Sequence, residues 1–314
     1  MRVFDGHCDT IFQCHLANAS LLQENPNGHW DLTRAQVYDS YAQFFALFGD
    51  LNTTPNKSLP QIFREQFWVF REELQRNEDK IAHCRTWEQA EEAIREGKVA
   101  AFLSVEGADM IGCSLSGLEQ AHAFGVRAIN LTWNRANLLS GSIAEDEERG
   151  LSALGKAFVT RMEQLGILVD VSHLSNPGFW GVMEVAKKPV IASHSNAWQV
   201  CNHRRNLSDG QFAAIVKTGG VAGLNVYAPM VGEAPTFDTL LAHLDHFWSL
   251  GGEDHVSLGG DWDGCEEVVA GFEKGIAGLA DFYNYLLQKN YSETLVNKLF
   301  FDNLRRVVAE VCTM

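Results

Sequence analysis

The sequence predicts an α/β fold of the (β/α)8 TIM-type barrel class, and three observations carry that prediction. Eight short β-branched or apolar runs alternate with helical segments along the chain. Several of the runs are continuously apolar, as strands buried on both faces must be. The length, 314 residues, suits one barrel of about 250 residues with insertions. An open doubly wound sheet competes at this length. No glycine-rich phosphate fingerprint follows the first run, which counts against its nucleotide-binding version. No repeat or linker divides residues 1–314, so they read as a single domain.

The expected strands are residues 3–7, 41–47, 99–105, 127–132, 167–171, 189–193, 220–226 and 256–260. Between them, residues 61–80 place Ile62, Phe63, Phe67, Phe70 and Leu74 at helical spacing. Thr86 with Gln89, Ser116 with Glu119 and Ser208 with Gln211 have capping-box spacing at helix starts. A last helix is expected from about Ser292 to near the end, burying Leu295, Leu299, Val307, Val308 and Val311. Residues 49–60 read as a surface loop, and 144–150 as a charged loop near an opening.

A net charge of −15 argues against nucleic acid or an anionic membrane surface as the main partner. No apolar run reaches the roughly 18 residues of a membrane span. Residues 1–5 carry no secretion signal, and seven cysteines without a CxxC pair fit reduced thiols. A cytoplasmic location is the expectation.

The residues that bear chemistry fall at the C-terminal ends of the apolar runs. They are His7 and Asp9, Glu106, His173, His194 and Asp261. In a barrel those ends share one face, where active sites sit. His7 and Asp9, two apart, point to one side of an extended chain. Taken singly, each has a structural explanation as a turn Asp, a hydrogen-bonded His or a buried ion pair. Five at the ends of four different runs favour a metal site. Three imidazoles and two carboxylates without a thiolate suit Zn²⁺, with Mn²⁺, Co²⁺ or Fe²⁺ also compatible. Five ligands serve two ions if one carboxylate bridges. Asp261 is placed to accept a proton from water and pass it to a leaving amine, and Asp263 reads as a turn residue. Arg204 or Arg205 offers a fork for a substrate carboxylate; a surface arginine pair is the alternative.

Asp5-Gly-His7-Cys-Asp9-Thr, Ser104-Val-Glu106-Gly, Val169-Asp-Val-Ser-His173, Ala192-Ser-His194-Ser, Arg204-Arg205-Asn-Leu-Ser-Asp209 and Gly260-Asp261-Trp-Asp263-Gly occur in that order. Together they resemble the membrane (renal) dipeptidase family, peptidase family M19, among the amidohydrolase-like barrels. The resemblance runs from residue 3 to about 265 and implies a zinc-dependent dipeptidase using a metal-bridging hydroxide. It implies two Zn²⁺, one on His7 and Asp9, the other on His173 and His194, with Glu106 bridging. Arg205 is the implied contact for the substrate carboxylate, Asp261 the proton carrier and Tyr227 a further substrate contact. Dipeptides, L,D-dipeptides among them, are the implied substrates, and a homodimer is a family habit. There is one departure. Mammalian members carry a His after Leu-Thr that polarises the scissile carbonyl, and here Trp133-Asn134 follows Leu131-Thr132. Trp133 donates one N–H but carries no charge, leaving Asn134, Asn137 or zinc for that task. Competing readings are another binuclear amidase, lactonase or phosphoesterase, favoured by Trp133, and a non-enzymatic metal-binding barrel, disfavoured by the complete ligand set.

Overall fold

In the computed structural model, which describes residues 1–20 and 22–313, nine strands form one parallel sheet. They are β1 (Arg2–Cys8), β2 (Ser40–Leu47), β3 (Ile81–His83), β4 (Val99–Glu106), β5 (Val126–Asn130), β6 (Leu168–Asp170), β7 (Val190–Ala192), β8 (Val221–Leu224) and β9 (Val256–Leu258). Their order is β2-β1-β9-β8-β7-β6-β5-β4-β3, and β2 also pairs with β4. That last pairing, from Ala42↔Ala100 to Leu47↔Val105, closes eight strands into the expected (β/α)8 barrel. Each expected strand overlaps an observed one. The later ones stop short, because the chain bends out of the sheet to reach the barrel mouth.

The ninth strand, β3, was not expected. It pairs with the start of β4, Ile81↔Val99 to His83↔Ala101. β5 joins β4 only at Leu103, so that lower edge is open for β3. A three-residue strand falls below any sequence periodicity, and the expected helix 61–80 overran towards it; the helix is Leu59–Arg76.

Two of the three expected capping boxes need correction. Thr86 caps Trp87–Arg95 by accepting from Gln89 N, but the Gln89 amide oxygen accepts from Arg85 N, so the box is not reciprocal. Helix Leu115–Phe124 is capped by Ser114, two residues before the expected Ser116. The Ser208–Gln211 box is reciprocal. At the C-terminus Ser292 caps Glu293–Asn297, and a π-helical turn, Lys298–Asp302, leads into Asn303–Val311. The extra residue of that turn rotates the buried face. Val296 is buried and Leu295, expected inside, is half-exposed.

Two apolar layers result. Leucines, valines and aromatics pack between strands and helices in the outer layer. Inside the barrel Phe4, Phe44 and Phe102 stack with ring centroids 5.2 to 5.9 Å apart. Trp87, Phe301, Leu304 and Val308 complete this inner cluster, sealing the end where the strands begin. The end where they finish is left for polar side chains. No helix among the described residues is long and apolar enough to cross a membrane, and Cys8, Cys84, Cys113, Cys201, Cys265 and Cys312 are free thiols.

Candidate metal centre

The β1 end shows how local irregularity builds the centre. Val3 and Cys8 both face the outer layer although they are five positions apart, so the alternation of faces reverses between them. The register with β2 slips there, between Asp5 and Cys8. The slip turns His7 and then Asp9 into the mouth. Asp9 sits at the N-cap position of helix Thr10–Ala17, yet its carboxylate makes no cap bond. It lies instead 3.5 Å from His7 Nε2.

Glu106 closes β4 and stands opposite Asn130. Its Oε2 is 3.5 Å from His7 Nε2, while its Oε1 is 2.9 Å from His173 Nε2 and 3.7 Å from His194 Nε2. His173 Nε2 and His194 Nε2 are 2.9 Å apart. One carboxylate thus straddles two clusters, His7–Asp9 on one oxygen and His173–His194 on the other. Ligand-type atoms of His7, Asp9 and Glu106 lie within 4.8 Å of one another, as do those of Glu106, His173 and His194, and of His7, His194 and Asp261.

Two buried aspartates, whose positioning role sequence reasoning missed, hold these ends. Asp5 accepts from His7 N at 3.0 Å, Gly260 N at 3.1 Å and Trp262 Nε1 at 2.9 Å. Asp170 accepts from Ser172 N and Ser193 N, both at 3.0 Å. Each ties the end of its own strand, or the turn just after it, to the end of the neighbouring strand. The available signal was an acidic residue inside an apolar strand, which has to be bonded when buried. His194 needs one more device. A Cβ on Gly223 or Gly259 would lie 1.9 or 1.8 Å from the Ser193 carbonyl oxygen. The two glycines therefore let the end of β7 lean across the mouth and carry His194 to the centre. His173 itself has φ of 71° and Asp261 of 59°, left-handed backbone that is uncommon away from glycine.

The ring nitrogens facing away from the centre are also bonded. His173 Nδ1 is 3.0 Å from Asn134 Oδ1, and His194 Nδ1 is 2.7 Å from Ser193 Oγ. An amide oxygen only accepts, so the proton of neutral His173 sits on Nδ1 and the Nε2 lone pair points at the centre. Asn134 is thereby committed to His173. Asn137 is spent as well, donating to Leu131 O at 2.7 Å and accepting from Leu139 N at 2.9 Å.

Charge in this cluster is unbalanced without a cation. Burial pushes the Glu106 carboxyl up to about 7 against the pull of His7. Burial alone would lower His7, but Glu106 and Asp9 hold it well above its ordinary value. Burial raises Asp9, and it lowers His173 and His194 well below the usual imidazole range. His7 Nε2 and Asp9 Oδ1 are buried with no hydrogen-bond partner. Orphaned ligand atoms, an imidazole-rich donor set and a straddling carboxylate fit divalent cations. Metal binding must displace the protons on Glu106 and His7. Metal affinity is therefore expected to fall as pH drops through about 7. Calorimetric titration in two buffers of different ionisation enthalpy should show proton release at pH 7; release of none would contradict this.

Above the centre opens a cavity of about 530 Å³. Asp9, Glu106, His173 and Asp261 line its floor, and Arg204, Arg205 and Tyr227 also face it. Phe12, Phe48 and Trp133 make an aromatic wall of edge-to-face contacts, with centroids 4.9 and 4.8 Å apart. Trp133 is thus part of an apolar surface. Burial brings the Arg205 guanidinium down to about 10, leaving it cationic near neutrality. Its NH2 reaches the His194 carbonyl at 3.5 Å, and no carboxylate among the described residues lies within ion-pair distance. Asp263 pins the rim, accepting from Thr10 Oγ1 at 2.6 Å and His29 N at 2.6 Å. Of the residues singled out for the site in the sequence, Asn137 alone lies off this cavity; His7 and His194 are in the clusters that form its floor, and the others line it.

A family model for membrane dipeptidases, peptidase family M19, matches residues 1–314. The chain belongs to the membrane dipeptidase family. A metallo peptidase from Rhodobacter sphaeroides, solved with a phosphinate mimic of the dipeptide L-Ala-D-Ala, superposes with a TM-score of 0.89 at 25% identity over 99% of both chains. The dipeptidase AC, a metallo peptidase of family M19, gives 0.89 at 26% identity over 99% of this chain and 98% of its own. The probable dipeptidase PvdM from Pseudomonas aeruginosa shares the fold, with a TM-score of 0.90 at 19% identity over 99% of this chain and 96% of that one. This M19 chain is a metallo-dipeptidase, a hydrolase acting on peptide bonds.

Proposed function

We propose that this M19 dipeptidase cleaves dipeptides, L,D-dipeptides included, with two divalent cations, of which zinc suits the donor set best. The observation that carries this reading is Glu106, with one oxygen towards His7 and Asp9 and the other towards His173 and His194. His7 and Asp9 would hold one ion, His173 and His194 the other, and Glu106 would bridge. When bound, the ions supply Lewis-acid polarisation of the scissile carbonyl and pull the pKa of water towards neutrality. The mimic of L-Ala-D-Ala bound by the Rhodobacter protein supports the L,D class. The six free thiols other than Cys14 support a reducing, cytoplasmic setting.

The chain's own residues do the rest. Arg205, cationic and without a carboxylate partner, receives the substrate's terminal carboxylate. Tyr227 and the aromatic wall with Trp133 confine the peptide. Asn225 Nδ2 donates to Asp261 Oδ2 at 3.1 Å, holding that carboxylate with Oδ1 3.9 Å from His7 Nε2. As water adds to the carbonyl carbon, its proton passes to Asp261. The same proton goes to the amine as the C–N bond breaks.

A panel of dipeptides, lactones and phosphate esters tests the reading, and dipeptide turnover is the expected result. Arg205→Met should lower kcat/KM for dipeptides about a hundredfold or more, mainly through KM. It should leave dipeptide amides, which lack the carboxylate, nearly unaffected. Equal losses on both substrates would remove Arg205 from carboxylate binding.

A further inference from the structure

A second cavity, of about 340 Å³, adjoins the first, and both are lined by His173, Arg204 and Arg205. Beyond the arginines one wall is apolar, with Leu174, Phe179 and Leu207 buried and Ile143 and Trp198 towards solvent, while Asn176, Ser208 and Gln211 add polar groups to the rest of the lining. The Ile143 wall is fixed in place. Ile143 N donates to His173 O at 2.9 Å, and Ser142 pairs with Leu174 as an isolated bridge. The charged loop expected at 144–150 follows directly after Ile143, and none of its own residues lines this chamber.

In a dipeptide the terminal carboxylate and the C-terminal side chain share one carbon. With the carboxylate on Arg205 and the peptide bond directed to the metal centre, two directions from that carbon are taken. The side chamber lies next to the same guanidinium. We propose that this chamber is the specificity pocket for the C-terminal side chain and selects large apolar residues of leucine or phenylalanine size. The proposal rests on the assignment of Arg205 to the substrate carboxylate. A methyl group would leave most of the apolar wall wet, whereas each further methylene buried there strengthens discrimination by about tenfold or more.

The test is kcat/KM of the metal-loaded enzyme on alanyl dipeptides ending in Ala, Leu or Phe, each in L and D configuration. Leu and Phe should exceed Ala by about tenfold or more in at least one configuration. Two variants at partly exposed positions then act on the chamber. Ile143→Trp fills it and Trp198→Ala removes a wall, and each should cut the Phe/Ala ratio about tenfold. A wild-type rate independent of C-terminal size, or an unchanged ratio in either folded variant, overturns the proposal. If dipeptides are cleaved without size preference, the Arg205 assignment stands and the chamber alone is refuted. If the loaded wild type cleaves no dipeptide, both fall.

Discussion

Glu106→Gln is expected to strip metal from the centre and lower kcat/KM by about a thousandfold or more. Both oxygens of Glu106 face ligand clusters. The amide that replaces them is neutral and offers one oxygen in place of two. A structural ion pair would respond differently, because removing one partner of a buried pair destabilises the fold strongly. Here burial already pushes the Glu106 carboxyl up to about 7. In the metal-free protein above pH 7 the charged carboxylate is a burden, since its folded value lies above its unfolded one and stability falls as pH rises between them. In chelator at pH 8 the variant should therefore melt no lower than the wild type. With metal present the wild type should gain stability by mass action and the variant should gain little. A variant that kept both ions, or that melted far below the metal-free wild type, would assign Glu106 to the scaffold.

Asp261→Asn should do the opposite to metal content and nearly as much to turnover. None of the five residues assigned to the ions is touched, so occupancy should stay at the wild-type level while kcat falls about a hundred- to ten-thousandfold. The substitution is well suited to the site. Asp261 has φ of 59°, a conformation that Asn adopts readily, and an amide oxygen can still accept from Asn225 Nδ2. Asp261 also forms a ligand-like group with His7 and His194. Metal counting alongside the rate separates the two roles: lost metal would make Asp261 a ligand, and retained metal with near-full activity would end its part in proton transfer.

Much of this was legible in the sequence because barrel topology converts chain order into convergence. Once residues at successive strand ends share a face, His7, Glu106, His173 and His194 are brought to one end of the barrel. What the sequence did not reveal depends on backbone detail. The slip between Asp5 and Cys8 has no residue signature, yet it turns both His7 and Asp9 inward. The lean of Ser193 over Gly223 and Gly259 is invisible until the strands are placed side by side. β3 owes its place to β5 starting late, a property of two distant segments. Asp5 and Asp170 were readable in principle as acids in apolar strands, but their partners are backbone N–H groups, which every sequence has. Asn134, considered for the scissile carbonyl, turned out to be committed to His173 by a contact between two loops.

The central claim is that one carboxylate, Glu106, lies between two cations. Anomalous-difference diffraction at the zinc edge from crystals of the zinc-loaded chain tests it most directly. Two peaks are expected, one bonded to His7 and Asp9, the other to His173 and His194, with a Glu106 oxygen on each. A single peak, or two peaks with Glu106 bonded to neither, would contradict the account.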